Sequence, residues 1–298
     1  MNSPIDLSRL PAPSVIEPLD YETIVAELTA DLTDRAPELA ETLSLESEPL
    51  TKLLEVAAYR ELLLRQRINE AAKAVMLAYA QDEDLEHLAA LFDVERLEID
   101  PGDPDANPPV PPTFESNDAL RRRVLLSLDG LSTAGPELAY VYHALSASGD
   151  VKDADAFSEA PGDVTVVVLS QAESGEASAQ LLATVNNAVN AEDTRPLTDH
   201  PTAVSAEIIS YTISAILHIF PGPEAAVVRE NALANATAYT QEQHRIGAQV
   251  SFSGVYAALH QPGVQRVELL SPTATLTTTR KQAPYCTAIE LTSEVVND

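Results

Sequence analysis

Asp103, Asp105 and Asn107 carry oxygen ligands at the first, third and fifth positions of a calcium-loop spacing. Pro108 stands where the sharp turn of such a loop needs glycine, and Phe114 where its bidentate glutamate belongs, so the match fails at two positions. Acids in a proline-rich stretch are expected to be solvated. The histidines, His87, His143, His200, His218, His244 and His260, include no pair spaced to put two imidazoles on one helix face. His87 follows Asp84 by three residues, the spacing of a local helical ion pair. Cys286 is the single cysteine, which excludes an intrachain disulfide and a cysteine-rich zinc site. It falls in a segment that reads as a terminal strand, with no histidine arranged to activate it, and is expected in the core. Glycine-rich phosphate loops are absent from a chain with only 10 glycines. The 46 acidic residues give carboxylate pairs at every spacing, so none singles out a glycosidase. The expectation is a chain with no catalytic residue, no cofactor and no metal site.

Composition narrows the remaining classes. At 298 residues and 45% hydrophobic content, at least two units are expected. A formal charge of −28 repels phosphate backbones, which argues against nucleic-acid binding. Arg121, Arg122 and Arg123 form the one tight basic cluster, read as a solvated helix face or an acid-pairing patch. Residues 1–20 carry Pro4, Pro11, Pro13 and Pro18 and lack the basic start and apolar middle of a secretory signal. Ala215–Phe220 is far too short to span a bilayer, so no membrane insertion is expected. Without tryptophan, and with aromatics at 5%, a base- or sugar-stacking surface is disfavoured, and Ala, Leu and Val must supply the packing.

The elements follow from periodicity and punctuation. After a proline-rich arm, 1–19, Asp20 caps a first helix with Ile24, Leu28 and Leu32 on one face, limited by Pro37. Ser47, Glu48 and Pro49 signal a second start. From it Leu50, Leu54, Ala57, Leu64, Ile68, Ala71, Val75 and Ala78 recur at heptad spacing, with Glu61 the polar residue in the seam. With no glycine or proline from Leu50 to Ala80, this helix is expected to reach roughly 45 Å. Leu53, Val56, Leu62 and Leu63 widen the apolar face, as for a helix with two neighbours. Asp82 and Asp84 begin a further helix through Leu85, Leu88 and Leu91.

Six prolines between residues 100 and 115 predict a semi-rigid extended linker. Helices capped at Ser116 and entered after Ser132–Pro136 come next, then a strand through Val164, Val166 and Val168 and a helix through Leu181, Val185 and Val189. Alternation through Val204, Ala206 and Ile208 slips phase near Ile209 and Ser210, as expected if one extended segment serves two faces or two sheets. The Pro221–Gly222–Pro223 turn starts a helix to about Tyr239; a short helix at 255–260 and strands near 264–269 and 286–291 finish the chain. The predicted fold class is α+β, with an N-terminal helical unit built on the long helix (20–99), the linker (100–115), an α+β domain (116–202) and a C-terminal α+β dimerisation or ring domain (203–298).

Several blocks also resemble, in order and spacing, the J family of baseplate wedge proteins of contractile-tailed bacteriophages and R-type-pyocin-like bacteriocins. They are IDLSRLPAP from Ile5, LESEPLTKLLEVAAYRELLLRQRINEAAKAVMLAYA from Leu45, DLEHLAALFDVER from Asp84, LSTAGPELAYVYHALSAS from Leu131, LHIFPGPE from Leu217 and QHRIGAQVSFSGVYAALHQPGVQRVELLSP from Gln243. The resemblance implies a structural, non-enzymatic component made in the bacterial cytoplasm and located in a tail baseplate. It implies as partners a second copy of itself, an adjacent tail-protein-I-like wedge protein, a sheath-initiator or lysozyme-like wedge protein and the central hub. It further implies a mixed helical bundle, for which Leu50, Leu54, Ala57, Leu64, Ile68, Ala71 and Val75 are the expected contact, and a ring whose change of shape triggers sheath contraction. Two other classes stay open at this point: an acidic adaptor, which salt would release, and a tail-associated hydrolase, which would need a pocket of convergent acids.

Overall fold

A computed structural model describes residues 7, 10, 18–172, 174–221 and 224–296. Most of the arm, including most of the IDLSRLPAP block, lies outside these, as do Gly222 and Pro223 of the proline–glycine turn. The chain divides into two compact units, Met1–Glu95 and Arg96–Asp298.

In the first unit, α1 (Tyr21–Arg35) starts at Asp20, whose carboxylate accepts from the amides of Glu22 and Thr23. Ile24 on this helix is fully buried. A 3₁₀ turn (Pro37–Leu39) and the short α2 (Ala40–Leu43) return the chain to the start of α3 (Pro49–Ala74). The cap of α3 is Glu48, with no side-chain bond, rather than Ser47. Proline at the first position loses no needed donor there. Contacts advance together along α1 and α3, Tyr21 with the Glu55 carbonyl and Glu27 with Arg65, so the two helices run in the same direction.

The long helix ends at Ala74, short of the expected Ala80, and its 26 residues span about 39 Å. Val75 leaves helical geometry, and the amides of Tyr79 and Ala80 close turns on the Met76 carbonyl. Ala80 is buried, as are Leu85 and Ala89 on α4 (Asp82–Ala90); packing of these residues overrides the helix propensity of residues 75–80.

In the second unit, the proline-rich segment is a hairpin and not an extended linker. Strands β1 (Glu98–Asp100) and β2 (Thr113–Phe114) pair antiparallel, and Asp103 bridges Val110 between them. Asp100 accepts from the Gly102 amide at 2.8 Å and Asp103 from the Asp105 amide at 3.0 Å, so these carboxylates turn their own backbone. Gly102 sits at φ 69°, where a β-carbon would run into the Val110 carbonyl and the Pro111 backbone, so glycine is required.

Helices α5 (Asn117–Gly130, capped by the Ser116 hydroxyl) and α6 (Glu137–Ser146) lead into a three-stranded sheet of order β3-β4-β5. Strands β3 (Val151–Ala160) and β4 (Asp163–Ser170) pair antiparallel; α7 (Ala179–Val189) crosses over to β5 (His200–Ser205), which runs parallel to β4. The core between sheet and helices holds Tyr140, Ala144, Val166, Val168, Val185 and Val189.

The second sheet has order β7-β6-β8, from β6 (Glu207–Ile219), β7 (Val264–Ser271) and β8 (Gln282–Val295). Helices α8 (Ala225–Gln243) and α9 (Phe252–Leu259) bring Val228, Ala232, Ala236, Val255 and Leu259 onto its Ile213, Ala215, Leu217 and Ile219 face. The phase slip read from the sequence is a change of sheet. β5 ends at Ser205 and β6 begins at Glu207, so the switch falls at Ala206 rather than at Ile209 and Ser210.

Candidate partner-binding surface

At about 100° per residue, Leu50, Leu53, Ala57, Leu64, Ile68, Ala71 and Val75 fall within roughly 60° of arc on α3. The residues that α3 buries, Ala58 and Asn69, lie about a third of a turn away, with Leu62 and Arg65 half-buried beside them. The helix therefore packs a small and polar face inside its own unit and leaves its apolar stripe outside. Leu53 is 63% exposed, Leu64 65%, Ile68 61% and Val75 71%. Leu50 is half-buried at the start of the stripe, while Leu54, expected in it, lies about 40° to its side, half-buried towards the packed face; Ala57 and Ala71 are exposed, and Val75 stands just past the last helical turn. Val56, Leu63 and Tyr59 are also exposed and widen the surface. Glu61, the polar residue of the seam, is held by Arg65 at 2.6 Å.

Fully covering one such leucine or isoleucine contributes about 1.5–3 kcal/mol. Isolated exposed apolar side chains are ordinary on a protein surface, whereas a stripe running the length of one helix is a candidate interaction surface.

Among the described residues, no group of three or more His, Cys, Asp or Glu could hold a metal ion. The Cys286 thiol is pushed up by burial and donates to the Ala288 carbonyl at 3.4 Å, the opposite of an activated nucleophile. His218 lies beside Glu268 at 3.4 Å and Arg266 at 2.9 Å on the solvent face of β6.

A groove of about 380 Å³ beside β8 is lined by Ala226, Arg229, Glu230, Leu233, Ile289 and Leu291, and brings no set of acids together. No described helix is long and apolar enough to cross a membrane.

His244 is buried just past the end of α8. Lys152 on β3 donates to its Nδ1 at 2.8 Å, which requires a neutral ring protonated at Nε2. Nε2 is buried, with the Ser174 backbone beside the ring. Burial first, then the Lys152 ammonium, holds the ring below its ordinary 6.5, opposed by a hydrogen bond to the Ser174 backbone and by the weaker pull of Asp153. A histidine whose folded pKa is depressed resists protonation only while the protein is folded. Its contribution to stability is therefore complete above about pH 6.5 and is lost as pH falls below that value. The thermal midpoint is expected to fall between pH 7.5 and pH 5.5, and His244→Gln should flatten that dependence; equal slopes in both proteins would contradict the assignment.

Comparison with known proteins identifies the family of the chain. Residues 46–103 match the baseplate J-like N-terminal domain, 132–205 the baseplate J-like central domain and 211–292 the baseplate J-like protein C-terminal domain. Baseplate protein J of Escherichia phage P2 is 49% identical over 288 residues, 95% of each chain. Among solved structures, a chain of the anti-feeding prophage baseplate is similar with a TM-score of 0.42 and 16% identity. That match covers 60% of this chain and 44% of the other.

Proposed function

The chain belongs to the baseplate J-like family, and from that premise we propose that it is a structural wedge component of a contractile-tail baseplate, without enzymatic activity. The observation that carries the reading is the uncovered apolar stripe of α3, which lies inside the N-terminal domain match. A neighbouring wedge protein of the tail-protein-I kind contributes helices that cover Leu53, Leu64 and Ile68, and two copies of this chain join one such partner. The wedges assemble as a ring around the central hub, with a sheath-initiator or lysozyme-like protein attached. A change in the shape of the ring on host contact releases the sheath. The particle carrying it is a phage virion or a bacteriocin-like tail, and assembly takes place in the bacterial cytoplasm.

Burial of an apolar stripe resists salt, whereas an adaptor binding through its net charge of −28 would be released by it. The test is the light-scattering mass of this chain, alone and co-expressed with the adjacent wedge protein. A complex of two copies with one partner, stable in 1 M NaCl, is the expected result. A monomer indifferent to that partner would overturn the reading, and a complex lost in high salt would return it to the adaptor.

A further inference from the structure

We propose that the sheet β7-β6-β8, with α8 and α9, is a hinged body that pivots on the Ala206–Glu207 peptide and is clasped against β3 by Arg280.

The pivot is visible in the backbone. The Ala206 amide donates to Val168 on the first sheet at 2.8 Å, and the next amide, Glu207, donates to Lys281 beside the second at 2.9 Å. Consecutive residues thus belong to different sheets, and residues 207–296 join the rest of the unit through that one peptide. Each sheet has its own apolar core on its own helices. Between them lies only a small apolar group, Val167, Leu169, Ala206 and Ala283, flanked by half-buried residues including Phe157 and Ile246.

The rest of the joint is polar. Arg280, in the loop before β8, takes both oxygens of Asp155 at 2.7 Å, both oxygens of Glu137 at 3.1 and 3.3 Å and the Ala156 carbonyl at 2.8 Å. Its guanidinium also lies 4.9 Å from the centre of the Phe157 ring. Lys281 reaches Glu159 at 2.8 Å, and the Ile246 amide donates to Asp153 at 2.9 Å.

A planar, bidentate guanidinium fixes one orientation of the two bodies, which a diffuse apolar contact would not. Because the Arg280 side chain is partly exposed, water, salt or a competing carboxylate can reach it. The joint therefore opens as a body without unfolding either core, the hinge form of conformational change.

The Ile246 amide reports on the clasp, because its bond crosses the joint while those of Val168 and Leu217 stay inside single sheets. Residue-resolved hydrogen exchange on the full chain should show at least tenfold faster exchange at Ile246 in Arg280→Ala, with Val168 and Leu217 unchanged. Arg280→Lys, which keeps the charge and loses the fork, should fall between. The unaltered chain in 1 M NaCl should show the same selective rise, and that comparison decides alone if a variant fails to fold. No rise at Ile246, or an equal rise in both cores, would overturn the hinge.

Discussion

Leu64→Asp is expected to weaken binding to the wedge partner by on the order of a hundredfold or more while leaving the free chain folded. The asymmetry comes from where the residue sits. In the free chain Leu64 is mostly in water, so a charge there should change stability by no more than about 0.5 kcal/mol, as surface substitutions do. In a bundle the same position lies near the middle of the stripe, and an aspartate would be buried without a partner. Loss of an interface anchor of this kind costs about 2–4 kcal/mol, and each 1.4 kcal/mol is tenfold in affinity. Ala58→Asp is the contrasting change, because Ala58 is fully buried against the chain's own unit. It should lower the thermal midpoint of the free chain instead. The pair is read by circular dichroism of each chain alone and by the mass of each co-expressed complex. If Leu64→Asp assembles like the unaltered chain, α3 is not the bundle contact.

The largest loss of stability is expected from Arg123→Met. Arg123 bonds Glu115 at 2.6 Å with both side chains almost wholly buried. Glu115 also accepts from the Leu97 amide at 3.0 Å, and its carbonyl accepts from Arg96 at 2.8 Å. This single acid thus fastens the hairpin β1-β2 to α5. Removing the arginine leaves a carboxylate in the interior without its counter-charge, which costs about 3–5 kcal/mol. At about 2–4 °C per kcal/mol for a unit of this size, the midpoint of the second unit should drop by roughly 10 °C. The double change Arg123→Met with Glu115→Leu should recover much of the loss, since replacing both charges removes the orphan. A single variant as stable as the unaltered protein would show that the pair carries little.

What the sequence made legible is what local chemistry decides. The caps at Asp20 and Ser116, the strand of β-branched residues after Pro161 and Gly162, and the apolar stripe of α3 all rest on neighbours a few residues apart. The features that escaped depend on distant partners. Strand β3, which the sequence reading did not include, carries Asp153 and Asp155, and these meet Arg122 and Arg280. Arg280 meets Asp155 across 125 positions and Glu137 across 143, and no spacing rule reaches that far.

The proline-rich segment read as extended because prolines remove donors; two Asx turns and Gly102 close it into a hairpin instead. The stripe on α3 was legible as apolar, but its uncovered state was not. Only the structure shows that α1 takes the adjoining polar face and leaves Leu64 and Ile68 outside.

The change of sheet at Ala206 also bears on how such a gene can vary. Every strand pairing of β6 is made with residues that follow it in the chain, and every pairing of β5 with residues that precede it. A recombination event in the codons for Ala206 and Glu207 would therefore exchange the whole second sheet with its two helices and cut no ladder. The side chains that meet at the joint, among them Glu137 and Asp155 on one parent and Arg280 on the other, would have to be compatible for the chimera to close.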